Sequence, residues 1–338
     1  MRILHLSDTP LSGSPIRISQ LLAKYGGVES RHICWKEKIG YRIYEADLIG
    51  HITPTAALEY YIYDWADIIH YHNRWRRQEV FRAIGRLPPK KPCVIQLHSP
   101  RESEDFRGEV ESGIPLACLA QYHPRQWPEM TFLVPNVVDI DDPIYLPARQ
   151  YVMGKLVPPS PSALTIVSFA PSNTNRRDWN DKGYSVANPV LKKMRFSGEI
   201  CYDLINLMPF EEVMPRKRIA DIGIDDIVTG SYHLSALEYL SLGIACINHV
   251  DELTEAEVKK LTGADSLPFV EANKETFERV LRSLLKTQTW PEIGHKSRKW
   301  METYWSPAIL CNHYLKMYDA ITRGDYARRH PKTGVSAE

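Results

Sequence analysis

Residues 226–247 read Asp226-Ile-Val-Thr-Gly-Ser-Tyr-His-Leu-Ser-Ala-Leu-Glu-Tyr-Leu-Ser-Leu-Gly-Ile-Ala-Cys-Ile247. A short apolar run ends at Gly230, a polar turn follows, and a helix starting near Ser235 carries Glu238 and stops at Gly243 before a second apolar run. This order of strand, turn, helix and strand is typical of an α/β unit. The turn directs backbone N–H groups at a possible phosphate, and the helix carboxylate can accept hydrogen bonds from a ribose diol.

The same alternation runs along most of the chain and predicts an α/β fold with two doubly wound, Rossmann-like domains facing across a cleft. Five prolines in residues 141–163 indicate a linker. We therefore expect an N-terminal domain at 1–150 and a second domain at 160–305. A C-terminal helix at 306–323 is expected to pack back on the N-terminal domain, and 324–338 to form a polar tail.

Composition excludes several classes of protein. The formal net charge of the 338 residues is +1, so the net charge of the protein does not attract polyanions such as nucleic acids. No apolar run reaches the roughly 20 residues that span a bilayer, and the six cysteines are scattered, which favours a cytoplasmic protein. His70 and His72 alternate on a strand without a cysteine or carboxylate of fixed spacing, so we expect no metal site. No G-x-G-x-x-G follows a strand, which disfavours a nicotinamide-dependent dehydrogenase.

Degenerate motifs give a resemblance to the retaining GT-B glycosyltransferases of family 4 over roughly residues 1–320. Arg177 stands five residues before Lys182-Gly183, as in the family's glycine-arginine and lysine-glycine turn, although Arg176 replaces the glycine. Glu238 matches the second glutamate of the family's paired-glutamate motif, whereas Gly230 replaces the first. Further matches are Tyr232 for the aromatic residue of the intervening turn, Pro135-Asn136-Val-Val-Asp139 for a first-domain signature, and Ile95-Gln-Leu-His98 for the strand that delivers a histidine.

The resemblance implies a glycosyltransferase that moves a sugar from a nucleoside diphosphate donor to an acceptor hydroxyl with retention, and that requires no cofactor. It also implies that the domain at 1–150 lies on the acceptor side and that the domain at 160–305 binds the nucleotide sugar. Arg177 and Lys182 would bind the diphosphate and stabilise the leaving group, and His98 would lie near the anomeric carbon and the acceptor. Glu238 would hold the ribose. The remaining donor contacts would come from the backbone of Tyr232, His233 and Leu234 and from Gly13 and Ser14.

Residues 73–91 carry seven basic residues and one acid, and could mark an anionic acceptor. The arginines concerned are Arg74, Arg76, Arg77, Arg82 and Arg86. A solvated helix face explains them equally well. The sequence thus leaves open a nucleic-acid enzyme that glycosylates a hydroxymethylated base, an enzyme acting on a phosphorylated glycan or at an acidic membrane surface, and a nucleotide-sugar-binding protein without activity.

Overall fold

The computed structural model describes residues 1–36, 46–101, 105–121, 123–147, 151–152, 155–156, 164–171, 174 and 182–326. The chain divides into two compact units. Unit 1 comprises Met1–Val137 and the chain from Ala308 onward, and unit 2 comprises Val138–Pro307. None of the helices in the described ranges is long and apolar enough to cross a membrane.

Unit 1 is built on a parallel sheet that has, within the described residues, seven strands in the order β3-β2-β1-β4-β5-β6-β7. The strands are β1 (Arg2–Ser7), β2 (Glu29–Cys34), β3 (Leu48–Ile49), β4 (Ile68–His72), β5 (Cys93–Leu97), β6 (Leu116–Leu119) and β7 (Phe132–Val134). The helices up to this point are α1 (Ser14–Tyr25), α2 (Thr55–Glu59), α3 (Glu79–Ile84) and α4 (Arg107–Val110), and a π-helical turn at Tyr60–Trp65 extends α2. The chain reverses direction across the sheet between β1 and β4, which is the topological switch point where doubly wound sheets bind ligands.

The two faces of this sheet differ in chemistry. Successive side chains of a strand point to opposite faces, so Leu4 and Leu6 lie on one face and His5 on the other. The first face packs into an apolar core with Ile69, Tyr71 and other buried residues. On the second face, His5 pairs in register with His32 of β2 and His70 of β4, and all three are at most 1% exposed. A parallel sheet that is buried on both faces is ordinarily apolar on both, so a buried layer of histidines on one face is unusual.

Unit 2 contains a second parallel sheet, and its five described strands lie in the order β11-β10-β12-β13-β14. They are β10 (Ile166–Phe169), β11 (Cys201–Leu204), β12 (Ile222–Ile224), β13 (Ala245–Asn248) and β14 (Val270–Glu271), preceded by an antiparallel pair, β8 (Tyr151–Val152) and β9 (Lys155–Leu156). The helices are α5 (Tyr184–Phe196), α6 (Phe210–Arg218), α7 (Leu234–Ser241), α8 (Glu252–Thr262), α9 (Phe277–Thr287) and α10 (Trp290–Tyr304). The switch point lies between β10 and β12.

Helix α7 lies directly on the sheet of unit 2. A Cβ atom at Gly223 in β12 would stand 2.4 Å from the Tyr239 ring, so only glycine at this position allows α7 to lie this close to the sheet. One sequence-based expectation fails here, because the strand expected to lead up to Gly230 ends earlier, at Ile224. The Asp226 carboxylate accepts hydrogen bonds from the N–H groups of Val228 and Thr229, and this turn replaces further pairing with the sheet.

The last described helix, α11 (Pro307–Arg323), belongs almost entirely to unit 1. The Tyr314 hydroxyl donates to the carbonyl of Pro135 at 2.8 Å, and the Tyr318 hydroxyl lies 2.7 Å from His70 Nδ1. Helix α11 therefore contacts the polar face of the sheet.

Candidate functional site

In unit 2, the turn that starts α5 lies against the segment that follows β12. Lys182 and Gly183 have positive φ angles of 54° and 85°, and the Lys182 carbonyl accepts a hydrogen bond from Ile227 N at 3.2 Å. A Cβ atom on Gly183 would stand 2.3 Å from Ile227 Cγ1, so both the φ angle and the close packing require glycine. The Lys182 turn and the chain leading into α7 are thus neighbours.

Asp225 connects these two turns. Its Oδ1 accepts from the Lys182 ammonium and its Oδ2 accepts from the His233 backbone N–H, each at 2.7 Å. Burial by itself would raise the pKa of Asp225, but Lys182 and His233 outweigh burial, and the pKa lies well below its ordinary value. Asp225 is therefore a buried anion that holds the Lys182 side chain and the start of α7 together.

Glu238 forms a second buried ion pair on α7. Its carboxylate lies 2.6 Å from the Lys217 ammonium, which also donates to Ser235 Oγ at 2.7 Å and stands 4.6 Å from the centre of the Tyr239 ring. Burial lowers the pKa of Lys217, and Glu238 opposes that effect. The residue expected to hold a ribose is thus anchored at the base of α7 by a lysine from α6.

The other donor-binding candidates have distinct surroundings. The Tyr232 ring is buried and stacks on Phe269 at 5.9 Å between ring centres. His233 is the N-cap of α7, and its N–H is engaged by Asp225 rather than directed at open space. Leu234 is the first residue of the helix. Arg177 lies outside the described residues.

Gly13 and Ser14 form the start of α1 in unit 1, just beyond the carboxyl end of β1. Gly13 has φ 78°, and the two residues before it, Leu11 and Ser12, also have positive φ angles of 46° and 55°. Left-handed conformations in consecutive non-glycine residues are strained and concentrate at functional sites. The buried hydroxyl of Ser14 has no hydrogen-bond partner within the described ranges of the chain. This loop has the features expected of a ligand-binding turn.

His98 follows β5 at the same edge of the sheet. Asn73, with φ 63°, positions it by accepting from the His98 backbone N–H at 2.7 Å and donating to Ser99 at 2.8 Å. His98 Nε2 lies 2.8 Å from Nδ1 of His72 at the end of β4. Gly13, Ser14 and His98 therefore all lie near the carboxyl ends of strands in unit 1, while Lys182, Tyr232, His233, Leu234 and Glu238 belong to unit 2.

The basic segment of unit 1 contributes to a cavity of about 230 Å³ at this edge. Its charged lining residues are Asp8, Lys36, Arg74, Arg77, Glu79 and Arg82. Arg77 lies 3.6 Å from Asp105, and Arg82 lies 3.9 Å from Glu79. Outside the cavity lining, Arg86 pairs with Glu59 at 3.3 Å and Arg76 covers the Trp75 ring at 4.3 Å. The cavity is basic on balance, but acidic neighbours reduce the charge of the segment.

Asp225 and Lys217 are the residues that the sequence analysis did not identify. Asp225 had a detectable signal, because it directly follows a buried strand and so stands at the sheet edge where ligands bind. Lys217 had none, since it lies within the basic run Arg216–Arg218 that ends α6.

Comparisons with known proteins agree on the architecture. No family model and no curated protein matches the sequence. In structure, the chain is similar to an α-glucosyltransferase solved with UDP and a 13-mer DNA containing an HMU base, with TM-score 0.61, 11% identity and coverage of 95% of this chain and 99% of that one. It is also similar to sucrose-phosphate synthase from Thermosynechococcus elongatus (TM-score 0.60, 10% identity, 96% and 100% covered). HepE from Anabaena, solved with UDP and glucose, gives a TM-score of 0.59 at 10% identity, with 95% and 100% covered. The predicted fold is confirmed, and the chain has the GT-B fold.

Proposed function

We propose that the protein is a glycosyltransferase that moves a sugar from a nucleoside diphosphate donor to an acceptor hydroxyl, with retention at the anomeric carbon. The observation that carries this proposal is the position of Asp225, whose two carboxylate oxygens join the Lys182 turn and the start of α7. The two segments expected to bind one diphosphate therefore meet at one carboxylate, at the carboxyl end of β12. UDP complexes of proteins with the same fold add support.

The donor would bind by exchanging one anion for another. The Lys182 ammonium has three N–H groups and now donates to Asp225, and a diphosphate would compete with that carboxylate for the same cation. As the glycosidic bond breaks, negative charge accumulates on the leaving diphosphate, and a fixed ammonium stabilises it. Glu238, held by Lys217, would accept hydrogen bonds from the ribose hydroxyls.

Two variants that break the same ion pair from opposite ends test this role. Lys182→Met should weaken donor binding by about 10- to 100-fold, the value of a lost charge-assisted hydrogen bond. Asp225→Asn removes the competing anion and should leave donor binding equal or tighter. If the pair has only a structural role, both variants lose binding alike, and the proposed donor contact is wrong.

The measurement is a thermal-shift screen with nucleoside diphosphate sugars, followed by an assay for released nucleoside diphosphate. Ligand at a hundredfold excess over its dissociation constant should stabilise the protein by about 2.7 kcal/mol. Donor binding without release of diphosphate in the presence of acceptors would identify an inactive binding protein. The anomeric configuration of the product, read by NMR, tests retention.

A second candidate is a glycosyltransferase that acts on nucleic acid, and the basic cavity of unit 1 favours it. One protein of similar fold was solved with DNA. In a mobility-shift titration with duplex DNA over a range of salt, Arg74→Ala should reduce the salt slope by about one, whereas Arg279→Ala on α9 should not. Equal slopes in both variants would favour a small or uncharged acceptor.

A further inference from the structure

Three histidines on the polar face of the unit 1 sheet are grouped more closely than their strands alone require. His5 comes from β1, and His70 and His72 come from β4, and each is at most 1% exposed. One ring nitrogen from each of the three lies within 4.8 Å of the others. The rings of His70 and His72 stack with centres 4.3 Å apart. Among the residues that the structure describes, these three histidines form the one group of side chains spaced to share a metal ion.

Two nitrogens of this group lack a geometric hydrogen bond to any described residue. Among the residues that the structure describes, His5 Nε2 and His70 Nε2 are buried and make no hydrogen bond, and the nearby Gln96 amide, which raises the pKa of His70, is itself unpartnered. A buried polar atom without a partner costs about 1–3 kcal/mol, and an unobserved water or ion is a standard explanation for one. Orphaned atoms also occur at His32 and Gln96 in the same layer, but only in the three-histidine group do they coincide with ring nitrogens close enough to share one ion.

The other ring nitrogens are held as they are in metal sites. His70 Nδ1 lies 2.7 Å from the Tyr318 hydroxyl, and His72 Nδ1 lies 2.8 Å from His98 Nε2. Histidines that bind metals nearly always use the second nitrogen in this way, which fixes the ring. His5 Nδ1 and His72 Nε2 are hydrogen-bonded to each other at 3.0 Å, so a metal ion bound by both histidines would take the place of this bond.

The chemistry of the group selects the kind of ion. Burial, reinforced by neighbouring imidazoles, lowers the pKa of His5, His70 and His72 well below the usual value, so the rings are neutral and can act as ligands. The charged neighbours that influence these three pKa values are imidazoles, and no described carboxylate is among them. Magnesium and calcium need oxygen ligands, whereas zinc, nickel and copper accept imidazole.

We propose that His5, His70 and His72 bind one late transition-metal ion that joins β1 and β4 on the polar face of unit 1. Tyr318 on α11 positions His70, and His98 positions His72. The ion has a structural role within unit 1, independent of the donor-binding residues in unit 2.

The test is metal analysis of the full-length protein purified without a histidine tag. After loading with zinc and gel filtration, mass spectrometry of the metal content should give about one ion per chain, with the three imidazoles leaving one position of the ion to water. His70→Asn should hold none. His32→Asn is the matched control, because His32 lies on the same face, equally buried, but outside the group, and it should retain the ion. Wild-type protein without metal, or His70→Asn with as much as wild type, would show that the layer holds only water.

A second variant keeps the proposal testable if His70→Asn does not fold. Tyr318→Phe retains all three imidazoles and removes only the hydrogen bond to His70 Nδ1, so zinc affinity should fall by about 10- to 100-fold in competition with a chromophoric chelator. Unchanged affinity would contradict the site. Cobalt-loaded wild-type protein should show the visible absorption of low-coordinate cobalt with nitrogen ligands, and a spectrum of hydrated cobalt would also overturn the proposal.

Discussion

The two sheets bury polar groups in opposite electrostatic forms. In unit 1, the polar face consists of imidazoles whose pKa values are lowered, so they are buried without charge. In unit 2, polar burial takes the form of two ion pairs, Lys182 with Asp225 and Lys217 with Glu238, with side chains at most 7% exposed. Both arrangements avoid burying a charge without a partner, which would have a large free-energy cost.

The difference determines what each unit tolerates. The buried imidazoles of unit 1 lower the stability of the fold when they are protonated, because burial opposes the charged form of each ring. A buried ion pair withstands mild acid when its carboxylate pKa is lowered, but it loses stability when one partner is removed. The ion pairs also lie beside the candidate diphosphate-binding turns, where charge is needed, whereas the imidazoles lie inside a sheet.

The largest effect should come from breaking one ion pair of unit 2. Lys217→Met removes the buried ammonium that lies 2.6 Å from the Glu238 carboxylate and should lower the free energy of unfolding by about 3–5 kcal/mol. Urea unfolding followed by circular dichroism measures this loss.

The double variant Lys217→Met/Glu238→Gln is the control for Lys217→Met. It removes both charges and should recover most of the stability, since hydrophobic replacement of a buried pair is often neutral. A double variant as unstable as the single one would show that packing, rather than charge, accounts for the loss.

Acid should affect unit 1 first. His32 has its pKa lowered by burial from 6.5 to about 3, so the unfolded chain binds a proton that the folded protein excludes. The stability it contributes is present above pH 6.5 and is lost as the pH falls, by about 1.4 kcal/mol per pH unit for each such histidine. In the same range the Asp225 pair stays intact, because its carboxylate pKa is lowered and its contribution is lost only below about pH 4.

Hydrogen exchange read by mass spectrometry measures this contrast in each unit separately. Between pH 6.5 and 4, protection in β1 and β4 should decrease after correction for intrinsic rates, while protection in β12 and β13 persists. His32→Asn should reduce the pH dependence of unit 1 by about one proton. Equal losses in the two units would remove the proposed distinction.

The sequence was sufficient for the fold because its signals are local. Alternating apolar runs and Gly243 after α7 mark where strands and helices change, and these signals predicted two doubly wound α/β domains. The more specific prediction of a GT-B fold came from the resemblance of the degenerate motifs to a known family. The ion pairs were not accessible in this way, because Lys182 and Asp225 are 43 residues apart and lie on separate elements. The order β11-β10-β12 brings them together, and sequence spacing does not contain that order.

The polar layer had only a partial signal in the sequence. His70 and His72 share one face of β4 by simple alternation, but the sequence does not say that His5 of β1 lies beside them. Nor does it say that Tyr318, 248 residues later, reaches His70. The expectation of no metal site rested on residue spacing along one strand, and the site proposed above would be assembled across two strands.

The smallest expected effects come from two uncharged hydrogen-bonded pairs, one in each unit. Comparing these pairs tests whether ionisation causes the difference between the units. In unit 1, the buried hydroxyls of Ser19 and Ser30 are 3.0 Å apart, and in unit 2 those of Ser168 and Tyr239 are 2.9 Å apart. Ser19→Ala and Ser168→Ala should each lower the free energy of unfolding by about 1 kcal/mol in urea titrations. Ser19→Ala/Ser30→Ala should cost less than the sum of its single variants, since no hydroxyl is left unpaired.

If the neutral pairs behave alike while the charged pairs and imidazoles do not, the contrast between the units comes from ionisation and not from burial itself. A several-fold larger loss in one unit would instead attribute the contrast to tighter packing there.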